Sequence, residues 1–195
     1  MTVAASDLRA TLRRRRRELS TGEQLRAAQA LAEQLKPFVS QAPPGIVAAY
    51  EATDGEISPS LVVEALETKG WQSAYPRVDE SMRFHLTRRT SLVVGRWGLR
   101  EPPPSAPVID PRDLSLVLTP LVGFDAACNR LGRGRAYYDN AFAFLLDRAR
   151  PATVLMVGLA HDLQRVDHLE QAPHDVPLDA VATPTRIYGS MYAPE

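Results

Sequence analysis

An apolar stretch from Leu114 to Val122 runs into a loop with two glycines two apart and arginines around them, Asn129-Arg130-Leu131-Gly132-Arg133-Gly134-Arg135-Ala136. Behind the loop, Tyr138, Phe142, Leu145, Leu146 and Ala149 recur at helical spacing. The segment therefore predicts a buried strand, a glycine-dependent turn and a helix. A strand buried on both faces and followed by a helix belongs in an α/β sheet, where ligands bind at the carboxyl ends of strands. No other segment narrows the fold as much.

The rest of the chain agrees with that class. Short apolar runs at Ile46 to Tyr50, Trp71 to Tyr75, Thr153 to Leu159 and Val181 to Thr183 read as strands. Met82, Phe84 and Leu86 alternate with Arg83 and His85, the pattern of a half-buried strand. Leu8, Leu12 and Leu19 stripe a first helix, and Ser20 with Glu23 forms a capping box for a second, with Leu25, Ala28, Leu31, Ala32 and Leu35 on one face. Pro37 is expected to close that helix, and Pro76 the strand before it. Ser58-Pro59 opens a third helix through Val62, Val63 and Leu66 to Gly70. Leu92 to Arg100 reads as irregular, and Pro102 to Pro104 as a stiff connector. The expected architecture is α/β, a single three-layer αβα domain over residues 1–195 around a largely parallel sheet.

Composition excludes several classes. A formal net charge of zero with 45% hydrophobic residues argues for an ordinary globular protein, not a disordered chain or a polyanion-coating one. The single cysteine, Cys128, leaves no internal disulfide framework and no cysteine-based zinc site. No apolar run approaches the length of a membrane span, and the arginine-bearing N-terminus lacks the apolar core of a secretory signal, so a reducing cytoplasm is expected. His85, His161, His168 and His174 show no metal-ligand spacing, and Ser115 and Ser190 lack a nucleophile-elbow context.

The Gly/Arg loop brings backbone N–H groups and guanidinium forks to one place, the chemistry that a polyphosphate needs. Asp139, just beyond it, would stand where a magnesium ion sits beside phosphates. The segment is not a Walker loop, since no Gly-Lys-Ser/Thr follows. Spacing alone is equally compatible with a surface loop whose arginines are solvated.

The longer string, Pro120-Leu121-Val122-Gly123-Phe124-Asp125 followed by Arg130-Leu131-Gly132-Arg133-Gly134-Arg135-Ala136-Tyr137-Tyr138-Asp139, resembles the signature of the 5-formyltetrahydrofolate cyclo-ligase family. Further family-like stretches are Leu8-Arg9, Gly55-Glu56-Ile57, Tyr75-Pro76-Arg77-Val78, Gly98-Leu99-Arg100-Glu101-Pro102 and His174-Asp175-Val176-Pro177-Leu178-Asp179. The resemblance implies an ATP- and magnesium-dependent ligase that closes 5-formyltetrahydrofolate to 5,10-methenyltetrahydrofolate, with a reduced folate as substrate and ATP as co-substrate. It implies that Arg9 and the stretch Arg130, Leu131, Gly132, Arg133, Gly134, Arg135, Ala136, Tyr137 and Tyr138 hold ATP. Arg133 and Arg135 would be catalytic, neutralising charge on the transferred phosphoryl. Asp139 and Asp175 match the magnesium-linked positions. Glu56 matches the folate-binding glutamate, and Glu51, Trp97 and Tyr138 fall among the expected folate contacts. By its residue type alone, Glu56 reads better as a carboxylate complementing a helix N-terminus.

The chain departs from the family pattern at Ala5, where a lysine is usual, and at Ala136, where the last glycine stands. Pro59 replaces a threonine, and Thr185 and Arg186 stand where an acidic residue often follows the last strand. Ala5 and Ala136 support a second reading, a non-catalytic folate- or nucleotide-binding relative. Arg13 to Arg17 is an unbroken run of arginines. A basic arm for nucleic acid is one reading of it. The absence of interleaved aromatics and of net positive charge favours a solvated helix surface instead.

Overall fold

The computed structural model describes residues 4–95, 98–146 and 154–191. Two helices, α1 (Ala5–Arg17) and α2 (Thr21–Gln41), precede the first strand, β1 (Ile46–Ala48). There follow α3 (Ser60–Thr68), β2 (Gln72–Val78), β3 (Met82–Leu86), β4 (Val93–Val94), β5 (Arg100–Glu101), β6 (Val108–Ile109), β7 (Leu116–Pro120), β8 (Gly123–Phe124) and β9 (Arg130–Leu131). The chain continues through α4 (Tyr137–Ala141), β10 (Leu155–Leu159), β11 (Ala180–Ala182) and β12 (Ile187–Gly189).

Eight strands form one sheet in the order β12-β11-β10-β7-β1-β2-β3-β6. The five strands from β11 to β2 in that order run parallel; at the edges β12 pairs antiparallel with β11, β3 with β2 and β6 with β3. The sheet is therefore largely parallel, as the alternation of strands and helices implies.

Side chains alternate between two apolar layers. Leu116, Leu118, Val157 and Leu159 pack with α2 and α3 through Leu31, Leu35, Val62 and Leu66. Val117, Met156 and Val181 face the other way, onto Phe84, Phe142 and Leu145. Leu12 of α1 joins a smaller cluster with Val122, Leu131 and Leu169. The first helix thus packs over the carboxyl end of the sheet instead of covering a face.

Several boundaries differ from the sequence reading. Pro37 lies inside α2, which continues to Gln41. Leu31, Leu35 and Val39 are all buried on one stripe spanning the proline, so tertiary packing carries the helix past a missing backbone donor. Pro76 likewise sits within β2, opposite Phe84 of β3. The helix after the Gly/Arg loop is short, ending at Ala141 before a 3-10 turn at Ala143–Leu145, and Ala149 and Thr153 lie outside the described residues. In the stretch read as irregular, Val93 and Val94 form a small ladder with Glu101 and Arg100 respectively.

Strand order fixes where a ligand would sit. From β1 the chain crosses to β2 on one side, and β7 later enters on the other side, hydrogen-bonded directly to β1. The carboxyl ends of β1 and β7 therefore flank the point where the winding reverses, which opens a crevice between the loops that follow them.

Candidate active site

The loop after β1 turns back sharply at Asp54 and Gly55, with φ of 56° and 73°. A Cβ on Gly55 would lie 2.7 Å from the Arg16 carbonyl oxygen, so α1 rests directly on the turn. The Asp54 carboxylate gathers Arg13 at 2.8 Å, Arg16 at 2.9 Å and Arg17. Burial alone would raise the Asp54 pKa; the hydrogen bonds from Arg17 and Arg13 and the charges of Arg13 and Arg16 overcome it and bring it down to about 2. Two residues on, the buried Glu56 carboxylate accepts the Thr53 backbone N–H at 3.0 Å.

After β7 the chain makes the β8–β9 hairpin, tied by Asp125. This buried carboxylate accepts the backbone N–H groups of Ala127, Asn129 and Leu169 and the Asn129 side-chain amide. The Gly/Arg segment then leaves β9 toward the crevice. Arg9 of α1 donates to the Gly132 carbonyl at 2.8 Å. Gly134 has φ of 86°, and Ala136 takes φ 49° and ψ 23° at the start of α4. The position where the family pattern has glycine is thus left-handed, and alanine is strained there. A helix as short as α4 has little dipole. Arginines and loop N–H groups are left as the anion-binding equipment.

The two loops meet through Arg133, whose guanidinium donates to Glu56 at 2.7 Å and to Thr53 Oγ1 at 2.8 Å. Two adjoining cavities open on either side of that contact. The larger, about 410 Å³, is lined by Arg9, Arg130 to Asp139 and Asp175, with Ala5, Glu170 and His174 at its margin. The smaller, about 200 Å³, is lined by Tyr50, Glu51, Tyr75, Met82, Leu99 and Glu101 among others. Glu56, Pro120, Arg133, Tyr137 and Tyr138 belong to both. Wider and more open grooves lie beside β3 and β6 and between α2 and α3, away from these converging polar groups.

The expected site residues therefore converge, with one outside view: Trp97 lies outside the described residues. Asp139 pairs with Arg130 and also accepts the Val176 N–H, and Asp175 accepts the Ala172 N–H. Among the described residues no three His, Cys, Asp or Glu side chains group to cage a metal. Two carboxylates on one cavity wall still suit magnesium, which keeps waters and substrate phosphates as its other ligands. In the smaller cavity Glu51 holds Arg89 at 2.9 Å through one oxygen, while its other oxygen and the Tyr75 hydroxyl are buried with no partner among the described residues. Such groups are costly to leave bare and available to a ligand. Burial, reinforced by the Glu56 charge, pushes the Tyr138 hydroxyl well above its usual pKa, so it stays a neutral donor.

One expectation is overturned. The arginine run is not a uniformly solvated surface: Arg14 and Arg15 are exposed, but Arg16 is fully buried and Arg13 and Arg17 are spent on Asp54. Arg16 stands four residues beyond Leu12 on the stripe begun by Leu8, a spacing that could have identified it. No arginine of the run lines the larger cavity, so the gap left by Ala5 is not filled from there. Cys128, although in the loop, is buried, and burial raises its thiol pKa, which leaves it unreactive.

Comparison with known proteins agrees with the geometry. A family model described as the 5-formyltetrahydrofolate cyclo-ligase family matches residues 1–184. The chain is 29% identical over 188 residues to the 5-formyltetrahydrofolate cyclo-ligase of Escherichia coli (strain K12), covering 91% of this chain and 98% of the relative. The Haemophilus influenzae cyclo-ligase is 27% identical over 183 residues, with 91% and 96% covered. A solved 5,10-methenyltetrahydrofolate synthetase from Mycoplasma pneumoniae superimposes with a TM-score of 0.74 at 25% identity, covering 93% of this chain and 99% of that one. The Aquifex aeolicus synthetase, solved by NMR, shares the fold with a TM-score of 0.78 at 24% identity, covering 99% of this chain and 96% of that one.

Proposed function

The chain belongs to the 5-formyltetrahydrofolate cyclo-ligase family, and from that premise we propose that it converts 5-formyltetrahydrofolate to 5,10-methenyltetrahydrofolate at the expense of ATP, in the presence of magnesium. The observation that carries this reading is the pair of cavities sharing Glu56, Arg133 and Tyr138. A cationic chamber adjoins a smaller one lined by apolar side chains and by the carboxylates of Glu51, Glu56 and Glu101, so a triphosphate and a pterin can lie with their reacting ends together. In this reading residues 1–195 make one cyclo-ligase domain.

The formyl oxygen attacks the terminal phosphorus of ATP, ADP departs, and an N5 iminium phosphate results. N10 then attacks the formyl carbon and loses its proton, and inorganic phosphate leaves with the former formyl oxygen. The formyl oxygen is a weak nucleophile and a poor leaving group; phosphorylation solves the second difficulty, and positioning must solve the first. Arg133 and Arg135 neutralise charge on the moving phosphoryl, Arg9 and Arg130 to Tyr138 hold the nucleotide, and Glu56 and Glu51 accept hydrogen bonds from the folate. Asp139 and Asp175 would hold magnesium, which supplies charge neutralisation on the phosphates.

Incubation with 5-formyltetrahydrofolate, ATP and magnesium should produce methenyl absorbance, absent when either ATP or magnesium is omitted. A second reading, a binding protein without turnover, draws on Ala5 at the larger cavity and on the strained Ala136. Folate binding without product at any ATP concentration would favour it.

A further inference from the structure

Against the turn between β1 and α3 rests a fully buried arginine of α1 that neither cavity touches. Arg16 donates through Nε to the Asp54 carbonyl at 2.8 Å, through one terminal nitrogen to the Asp54 carboxylate at 2.9 Å and through the other to the Leu121 carbonyl at 3.1 Å. That last nitrogen also stands 3.9 Å from Glu56 Oε1. Arg16 lines neither cavity. It thus ties together the end of β7, through Leu121, and the turn that presents Glu56.

Glu56 has two cations, held very differently. The Arg133 side chain is 44% exposed and sits on a loop, whereas the Arg16 side chain is 1% exposed and locked by three acceptors. A nucleotide entering the larger cavity competes for Arg133, since phosphate oxygens accept the same forked donors. Arg16 cannot follow it: two of its three acceptors belong to a left-handed turn pressed against its own helix, and the third is the Leu121 carbonyl just beyond β7. When Arg133 turns to phosphate, Arg16 is the charge that remains behind Glu56.

We propose that Arg16 is a positioning residue for Glu56: it keeps a fixed positive charge behind that carboxylate and sets the turn that aims it, while Arg133 is the exchangeable partner. The inference rests on the reading of Glu56 as a folate contact. Arg16 touches neither substrate and acts through Glu56. A buried guanidinium is expensive to desolvate, and here it faces two carboxylates, so the position is tuned to anion placement beyond what packing requires.

The test compares Arg16→Gln, Asp54→Asn, Glu56→Gln and the Arg16→Gln/Glu56→Gln double variant with wild type, and uses Arg14→Ala as the exposed control. Methenyl formation gives kcat and separate KM values for folate and ATP, and thermal melting gives the folded fraction. In Arg16→Gln the folate KM should rise about tenfold or more while the ATP KM stays within about twofold, a displacement of roughly 1.4 kcal/mol or more at one substrate only. On the Glu56→Gln background, Arg16→Gln should add little to the folate KM. Asp54→Asn frees one anchor of Arg16 and should raise the folate KM in the same direction, which keeps the proposal open to test if Arg16→Gln does not fold. A folded Arg16→Gln with wild-type folate KM, or full additivity with Glu56→Gln, overturns the proposal. Absence of product from wild type, or an unchanged folate KM in Glu56→Gln, would instead defeat the functional reading on which it stands.

Discussion

Arg133 and Glu56, 77 residues apart in the chain, meet at 2.7 Å across the crevice between the loops that follow β1 and β7. That ion pair is the partition between the two cavities. It joins a residue proposed for phosphate to one proposed for folate, so changes at either end should separate the two binding functions.

Glu56→Gln should weaken folate binding while nucleotide affinity is largely kept. The buried carboxylate accepts from Thr53 and Arg133 and, on the proposed reading, from the pterin edge. Exchanging an acceptor oxygen for an NH2 leaves donors facing donors, a cost of about 1–3 kcal/mol. Titration calorimetry with each ligand separately measures this; an equal loss for ATP would make Glu56 a structural residue of the turn.

Arg133→Ala and Arg135→Ala should slow turnover without unfolding the protein. A charge-assisted contact that strengthens in the transition state is worth roughly 2–4 kcal/mol of activation free energy. Arg14, exposed on α1, should be nearly silent when replaced by alanine, with less than about 0.5 kcal/mol change in stability. Single-turnover rates and melting curves distinguish these outcomes. Active loop variants beside a dead Arg14→Ala would place the phosphate site elsewhere.

Ala136→Gly should stabilise the protein. The residue holds φ 49°, where a Cβ crowds the backbone and glycine does not. Relief of that crowding, less the greater unfolded freedom of glycine, comes to roughly 0.5–1 kcal/mol, and Tm should rise by about 1–4 °C for a chain of this length. The reciprocal change Gly134→Ala, at φ 86°, should lower Tm. An unchanged or lower Tm in Ala136→Gly would mean that the loop relaxes out of the left-handed region.

Asp54 should make stability acid-sensitive. Its folded pKa, about 2, lies below the ordinary aspartate value of 3.8, so the unfolded chain binds the proton more readily. The contribution is full above about pH 4–5 and is lost as pH falls toward 2, amounting to about 1–2 kcal/mol once solvent screening at the partly open turn is allowed for. Urea denaturation of wild type and Asp54→Asn at pH 6 and pH 2.5 tests the sign: the gap between them should narrow in acid. A gap that widens would reverse the assignment.

Much of the framework is legible along the chain. The capping box at Ser20 and Glu23 forms as read, because it involves only neighbours three residues apart. Alternating strands and helices imply the parallel sheet, since parallel neighbours need a crossover between them. The Gly/Arg loop lies near the carboxyl end of β7 because the short β8–β9 hairpin that follows the strand returns the chain to it. Even Ala136 stands where the resemblance expects a glycine, two residues after Gly134 with its positive φ.

What could not be read is whatever depends on partners distant in sequence. Pro37 and Pro76 carry ordinary breaking signals, and the buried stripe of α2 and the pairing of β2 with β3 override them. Helical spacing from Leu8 and Leu12 turns Arg16 inward, but only the turn folded beneath α1 supplies the acceptors that let it stay inside while Arg14 and Arg15 remain in water. The pairing of Glu56 with Arg133 likewise needs β1 and β7 to become neighbours. Local pattern determines which elements form, because propensity, capping and periodicity act over a few residues. Which charge meets which is decided by sheet order, because burial selects a partner only once the chain has brought it near.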